Sequence, residues 1–331
     1  MSTIAFGCAA EPTAAWVRRV ELLAWSLRTF GGACAGAEFH ACFAGDVDEC
    51  LVAPLAELDV TVHRVARFDD RLSYANKLRL LELGDDLGPD VEAVAMVDCD
   101  IVVTGDPGPL LPSTHVAAKP ADRDPLDVAG WRRLCAALGL PVPPADVVAS
   151  ATGRPMPRYY NSGVVVVPRD AQASMQEAWA RWLRTVVDVL SEQPDVVPQG
   201  RRIFADQYAL MAAMAEHDGR PLPTAANCPT HLKLAPAARP ATTPALLHYH
   251  ARIWPDGFLQ QPAEPAIREA AARFNARRAE ALGLPDPGLR PPPARDRLRA
   301  ARADVEDVVR ASRSFTRVRT AVAGSRSTRV A

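Results

Sequence analysis

Lysine is nearly missing from this sequence: it stands at Lys77, Lys119 and Lys233 alone, in a chain whose basic residues are otherwise arginine. Lys77 is therefore the single lysine of the first hundred residues. Alanine and proline are abundant alongside arginine, a bias that reflects genomic base composition rather than a function. Paired cysteines are missing too. The seven, at positions 8, 34, 42, 50, 99, 135 and 228, are odd in number and show no CxxC spacing, which argues against a disulfide framework or a zinc ribbon and predicts reduced thiols in the core. No stretch approaches the roughly 20 apolar residues of a membrane-crossing helix, and the N-terminus shows no basic region followed by an apolar segment, so the expected location is cytoplasmic. What is present, 331 residues with 48% hydrophobic and 23% charged content, supports one large or two small globular domains that fold without staples.

Charge is nearly balanced overall but unevenly placed. The net charge is −1, yet from Arg310 onward six arginines (310, 313, 317, 319, 326 and 329) meet no acid, which leaves the remainder seven charges negative. The tail is a separate electrostatic object. Nucleic acid is not an expected partner, because the rest of the chain is acidic and shows no basic patch interleaved with aromatics.

Hydrophobic periodicity orders the chain. Residues 3 to 8 (TIAFGC) read as a strand, and Ala14 to Phe30 as a helix with an apolar stripe at Val17, Val20, Leu23 and Leu27. A strand at 38 to 44, a short helix from Asp46 to Leu58, a strand from Val60 to Val65 and a helix from Ser73 to about Leu87 follow, with Ser73 as the expected N-cap. Another strand runs from Glu92 to Val97. Such alternation implies a parallel sheet covered on both faces, whose ligands bind beyond the carboxyl ends of its strands. The second half is less regular. A loop-rich insert from Pro120 to Pro157 carries one short helix (Leu126 to Leu138), then come a strand at 159 to 168, helices over Ala171 to Leu190 and Arg202 to Ala215, a late strand ALLHYHARIW (245 to 254) and a last core helix, Ala266 to Leu282. Pro285, Pro287 and Pro291 to Pro293 break the pattern and set the expected boundary between a domain at 1 to 284 and a tail at 285 to 331. The tail is expected to begin as a helix with Leu298, Val305 and Val309 on one face and to fray after Gly324.

The stretch MVDCDIVV, residues 96 to 103, places two carboxylates inside an apolar run. A buried unpaired carboxylate costs several kcal/mol, so Asp98 and Asp100 require something cationic. On a strand they point to one side and Cys99 to the other, which makes a site for a hard cation such as Mg²⁺ or Mn²⁺. D-x-D alone is a weak signal, common in acidic loops. His248 and His250 alternate onto one face of the late strand, and either supplies a nitrogen that shifts the choice toward Mn²⁺; the plainer reading of each is a hydrogen-bonded core histidine.

Four segments in order, VAMVDCDIVVTGDP, YYNSGVVVVPRD, FADQYALMAAMAE and LLHYHARIWP, after a βαβ start, resemble the nucleotide-sugar transferases of the GT-A fold. The nearest likeness is to the glycogenin-like and lipopolysaccharide galactosyltransferase-like group, glycosyltransferase family 8, over residues 3 to 255. The resemblance implies an α/β fold with a Rossmann-like, mixed but mainly parallel sheet flanked by helices. It implies a Mn²⁺ or Mg²⁺ ion bound by Asp98, Asp100 and His248, where it would bridge the two phosphates of a nucleotide-sugar donor, with a UDP-sugar favoured. A divalent cation suits that task because a nucleoside diphosphate leaves poorly until its charge is neutralised.

Other residues take roles from the same likeness. Lys77, in YANKLRLLELG, matches a base that reaches the donor phosphates or sugar; read alone it is a solvated helix residue, and Arg79 is the alternative. Asn161 matches a group that binds sugar hydroxyls, with Ser162 and Gly163 beside it, Gly163 permitting close backbone approach. Gly7 and Cys99 are placed near the donor as well. Asp206 and Gln207 match the acid and amide next to the reacting sugar carbon, and the implied outcome is retention at that carbon, by front-face attack or through a covalent intermediate on Asp206.

Two departures stand out. GCAAEP, after the first strand, has Ala9 and Ala10 where the family offers an acid to the base or ribose, with Glu11 displaced, and HYHARIWP lacks the family's lysine, for which Arg252 is the substitute. The acceptor is a glycan, a lipid-linked molecule or a small molecule, and the Pro120 to Pro157 and Pro221 to Pro244 segments are candidates to shape its pocket. Phe315, Val318 and Val322 among the tail arginines suit peripheral contact with an anionic membrane, against the reading of a solvated basic tail. A nucleotidyltransferase would need a Gly-rich basic loop that GCAAEP does not provide, and a non-catalytic nucleotide-sugar-binding protein would have little reason to keep these costly polar groups.

Overall fold

A computed structural model describes residues 3–294 of the chain. The first half alternates as its periodicity predicts: β1 (Ile4–Ala10), α1 (Ala14–Phe30), β2 (Phe39–Ala44), α2 (Glu49–Ala56), β3 (Val60–Val65), a 3₁₀ run (Ser73–Glu82), β4 (Ala93–Val97) and β5 (Ile101–Val103). There follow β6 (Ala117–Pro120), α3 (Val128–Ala137), a small hairpin of β7 (Val147–Val148) and β8 (Pro155–Met156), β9 (Tyr160–Pro168), α4 (Gln172–Glu192) and α5 (Ala205–Glu216). Short strands β10 (Arg220–Pro221), β11 (Cys228–Pro229) and β12 (Leu246–His248) lead to α6 (Arg268–Ala281). Residues Met1–Leu289 group as one compact unit and Arg290–Ala331 as another. The expected stripes at Leu298, Val305 and Val309 and at Phe315, Val318 and Val322 lie outside the described residues.

The main sheet has seven strands in the order β10-β6-β9-β4-β1-β2-β3. Its β1, β2, β3 and β4 are mutually parallel, whereas β9 runs antiparallel to both β4 and β6. Alpha helices cover both faces. One core packs α3, α4, α5 and the 3₁₀ run around Trp131, Tyr159, Trp179 and Tyr208, and the other packs α1 and α2 around Phe6, Phe39 and Phe43. A second sheet, β11-β12-β5, sits with α6 against a third cluster that includes Tyr249 and Phe274. This is the α/β, largely parallel architecture the alternation predicts. Six of the seven cysteines are buried and all are free, while Cys50 is exposed.

Three local expectations change. The segment after Ser73 is a 3₁₀ run, not an α-helix, and Ser73 caps nothing: the N-cap is Leu72, with no side-chain cap bond. A coil with three residues per turn puts Lys77 and Leu80 on one side, so that Leu80 packs over Gly7 of β1 while Lys77 enters the edge of the sheet. Second, MVDCDIVV is not one strand; β4 ends at Val97 in the main sheet and β5 begins at Ile101 in the second, so Asp98-Cys99-Asp100 is the turn between two sheets. Third, the late strand stops at His248, because the Tyr249 N–H turns to donate to the Asp100 carbonyl (2.9 Å) and His250 takes φ +51°. The insert also contributes order that periodicity did not show, through β6 and the β7–β8 hairpin.

Lys119, at the end of β6, is 1% exposed and donates to Asp122 at 2.5 Å. Burial pushes the Asp122 carboxyl up, but Lys119 and the Ser150 hydroxyl outweigh it and hold the group at about 2. A carboxylate depressed from its ordinary 3.8 stabilises the fold above that pH and loses the contribution as pH falls through the folded value. Asp122→Asn should therefore destabilise the protein by roughly 3 kcal/mol in denaturant unfolding near neutral pH, by stranding the Lys119 charge. The gap from wild type should narrow by about 2 kcal/mol between about pH 5 and about pH 2.

Candidate active site

The two sheets and α1 meet around a cleft of about 370 Å³ at the carboxyl ends of β1 and β4. Asp98-Cys99-Asp100 forms its floor, strapped from three sides. Asp98 N–H donates to the Gly163 carbonyl of β9 (2.8 Å), the Cys99 thiol to the Ala9 carbonyl of β1 (3.1 Å), and the Tyr249 hydroxyl to the Cys99 carbonyl (3.2 Å). Behind the turn, Ser26 of α1 accepts from the Val103 N–H (2.9 Å) and so pins β5 to the helix.

One side of the cleft is a lysine-centred network. Lys77, 7% exposed, donates to Asp98 Oδ1 (2.8 Å), the Ser162 hydroxyl (3.1 Å) and the Ser162 carbonyl (3.1 Å). The Ser162 hydroxyl donates in turn to Asp206 Oδ2 (2.5 Å), which stands 3.7 Å from Lys77 Nζ. Burial pushes the Lys77 ammonium down, but Asp98 and Asp206 more than compensate and it rests above its ordinary value. Burial dominates at Asp206: its carboxyl is held above the ordinary range despite Lys77 and Ser162. Lys77 is thus a buried partner of carboxylates, not a solvated helix residue. Gln207 lines the cleft next to this network, half-buried, with no hydrogen bond from its amide among the described residues.

The other side gathers imidazoles. His248 Nε2 lies 3.1 Å from Asp100 Oδ1 and His250 Nδ1 3.7 Å from Asp100 Oδ2, with the two rings stacked at 3.8 Å. One ligand atom from each of Asp100, His248 and His250 lies within 4.8 Å of the others. Burial pushes the Asp100 carboxyl up, yet the two histidines drag it well below the ordinary range. Burial and the neighbouring His248 and His231 push His250 well below 6.5, so it is neutral, whereas Asp100 raises His248 against the opposing effect of burial. One carboxylate with two imidazoles is a donor set that fits Mn²⁺ or another first-row ion better than Mg²⁺. His250 joins through the left-handed turn after β12, not through strand alternation. Asp98 lines the same cleft but gives Oδ1 to Lys77, so the trio Asp98, Asp100 and His248 is divided between two networks.

Asn161 and Gly163 serve this cluster first. Asn161 Oδ1 accepts from the Gly163 N–H (2.8 Å) and from Asn227 Nδ2 (2.9 Å), and Asn227 Oδ1 accepts from His248 Nδ1 (3.0 Å). The close approach that Gly163 allows is by an imidazole: a Cβ there would stand 2.6 Å from His248 Cε1. Three expected donor residues, Gly163, Gly7 and Arg252, do not line the cleft. Gly7 is buried in mid-strand, where a Cβ would meet Leu80 at 2.7 Å, so its small size serves packing. Arg252 is half-buried beyond the His250 turn, where it helps to keep His231 low, at about 4, behind burial and His248. Glu11, the acid displaced from the first loop, lines the cleft and is held by Arg67 and by Asn76 Nδ2 (3.3 Å). Asn227, Trp16 and Arg19 were not marked by any sequence pattern, since each is a polar or aromatic group on an otherwise ordinary element.

Residues 19–218, more than half of the chain, match the family described as the Rhodobacterales glycosyltransferase domain. The chain belongs to this family. No curated protein matches it in sequence. Among solved structures, an active-site mutant of LgtC is 14% identical, with 84% of this chain and 95% of that one covered and a TM-score of 0.51. The glycosyltransferase GlyE of Streptococcus pneumoniae TIGR4 is 15% identical over 82% of this chain and 60% of its own, with a TM-score of 0.47. The fold is that of the GT-A glycosyltransferases, and the protein is a glycosyltransferase.

Two outcomes are expected of the imidazole cluster. Gly163→Ala should leave the far-ultraviolet circular dichroism unchanged but weaken Mn²⁺ binding at least about 10-fold by titration calorimetry, because the methyl displaces His248 from Asn227 and Asp100. Mn²⁺ affinity of the wild type should fall as pH drops through the raised His248 value, above 6.5, as protons compete for the imidazole.

Proposed function

We propose that this glycosyltransferase moves a sugar from a nucleotide-diphosphate sugar, with a UDP-sugar favoured, to a glycan, lipid-linked or small-molecule acceptor, with retention at the anomeric carbon. The observation that carries the reading is the joining, in one cleft, of the Asp100, His248 and His250 cluster to the Lys77, Asp98 and Asp206 network. Asp100, His248 and His250 are the residues that would hold a divalent cation, Mn²⁺ or Mg²⁺, with Asp98 next to them. When bound, such an ion supplies positive charge to the leaving diphosphate. Residues 1 to 284 form the catalytic domain in this reading, and the basic tail from 285 to 331 is a solvated appendage, with peripheral contact to anionic lipid as the alternative. No helix among the described residues is long and apolar enough to cross a membrane.

The engagement of the lining carboxylates supports the proposal of retention. Inversion needs a base able to take the acceptor's proton on the face opposite the leaving group. The lining carboxylates are Glu11, Asp98, Asp100 and Asp206, and each is engaged: Glu11 by Arg67 and Asn76, Asp98 by Lys77, Asp100 by His248 and Asp206 by Ser162. Asp206, 4% exposed and hydrogen-bonded, is a positioning group rather than an accessible nucleophile. Front-face transfer fits these constraints. The bond from the anomeric carbon to the phosphate oxygen breaks, that carbon bonds the acceptor oxygen on the same face, and the acceptor proton passes to the departing phosphate. Lys77 holds Asp98 and Ser162 in place, and the unpaired amide oxygen of Gln207 faces the positive charge that develops on the sugar.

Thermal-shift measurements of UDP-, GDP- and dTDP-sugars, each with Mn²⁺, Mg²⁺ or EDTA, test the reading. One nucleotide class at about 100 times its dissociation constant should stabilise the fold by about 2.7 kcal/mol in the presence of metal only, and Asp100→Asn should abolish the effect. The absence of a shift with every nucleotide would overturn it. With the donor known, Gln207→Ala should lower kcat about 100-fold with little change in donor affinity, and proton NMR of the product should show the anomeric configuration of the donor.

A further inference from the structure

The cleft has a second fixed cation, on α1. Trp16 and Arg19, one turn apart on that helix, both line the cleft, and the Arg19 guanidinium carbon stands 4.7 Å above the Trp16 ring centroid. Lys77, the cleft's lysine, is already committed to Asp98 and Ser162. Arg19 makes no ion pair or hydrogen bond among the described residues. Stacking on an indole occupies the flat face of a guanidinium and leaves its N–H edges free, which is the presentation that grips a phosphate with two parallel hydrogen bonds.

Charge balance gives the reason for it. Arg67 already answers Glu11, Lys77 answers Asp98 and His248 answers Asp100, so a diphosphate arriving next to Asp98 and Asp100 adds negative charge that, of the lysines and arginines lining the cleft, only Arg19 is uncommitted to meet. A cation at Asp100 and His248 covers part of this excess. We propose that Arg19, held flat by Trp16, is a diphosphate-binding residue of the donor site, taking the place of the lysine that the HYHARIWP segment lacks and that Arg252 does not replace. The inference rests on the nucleotide-sugar reading above and extends it to a residue on the first helix.

The test uses the full chain with Mn²⁺ and compares wild type, Arg19→Gln and Arg19→Lys by titration calorimetry with inorganic pyrophosphate, UDP and uridine. Arg19→Gln should bind pyrophosphate and UDP about 10- to 100-fold more weakly while any affinity for uridine is unchanged, and Arg19→Lys should recover part of the loss. Ligand-free melting temperatures within a degree or two of wild type, and Mn²⁺ binding alone within about threefold, show that neither the fold nor the metal cluster has been lost. Equal affinity of wild type and Arg19→Gln for both phosphate probes overturns the role of Arg19 and leaves the donor reading standing. Failure of the wild type to bind either probe overturns the donor reading and this inference together.

Discussion

Four carboxylates around one cleft are the constraint on which the rest of this structure depends. Taking a carboxylate out of water costs several kcal/mol unless a cation or a set of donors meets it, so each of Glu11, Asp98, Asp100 and Asp206 dictates what must stand opposite. Arg67 meets Glu11, Lys77 meets Asp98, His248 meets Asp100, and the Ser162 hydroxyl meets Asp206. These partners come from the segment after β3, the 3₁₀ run, β12 and β9, so the electrostatics of the cleft tie together segments far apart in sequence. Deleting any one partner leaves its carboxylate exposed to the full penalty, which makes the cleft sensitive to changes that touch no ligand.

The turn between the two sheets gives this arrangement its geometry. β4 is parallel to β1 in the main sheet, β5 is antiparallel to β12 in the second, and three residues make the passage. The histidine cluster therefore approaches from one sheet and the lysine network from the other, with Gly163 as the narrow place between them. A wider residue at 163 would push His248 away from Asp100, so the lack of a side chain there is as much a part of the site as the side chains around it.

Much of this was legible in the sequence. The alternating strands and helices of residues 3 to 97, the acids at 98 and 100 inside an apolar run, and the lone lysine of the first hundred residues each break a local rule in a way that asks for a structural cause. What was not legible depends on turns and on distance. His250 reads as a strand residue in phase with His248, and only its left-handed backbone shows that it reaches Asp100 by another route. The 3₁₀ run has the apolar spacing of an α-helix, because a segment buried at Ala75 through Leu78 and again at Leu80 and Leu81 carries little directional signal. Glu11 looked displaced from the end of β1, and the chain bends enough there to bring it back into the cleft. Gly7 and Arg252 were marked by likeness alone; Gly7 packs against Leu80, and neither lines the cleft.

Asn227 carries a further consequence. Its oxygen accepts from His248 Nδ1 while its amide nitrogen donates to Asn161, whose oxygen also takes the Gly163 N–H. Turning the Asn227 amide over would set its oxygen against the Asn161 oxygen, which already takes the Gly163 N–H, so the amide is held with its oxygen toward His248 and Nδ1 carries a proton. Asp100 Oδ1, which also can only accept, meets Nε2 (3.1 Å), so both ring nitrogens donate and the ring is held at both ends before anything binds; a cation at Nε2 has to displace that proton but not turn the imidazole.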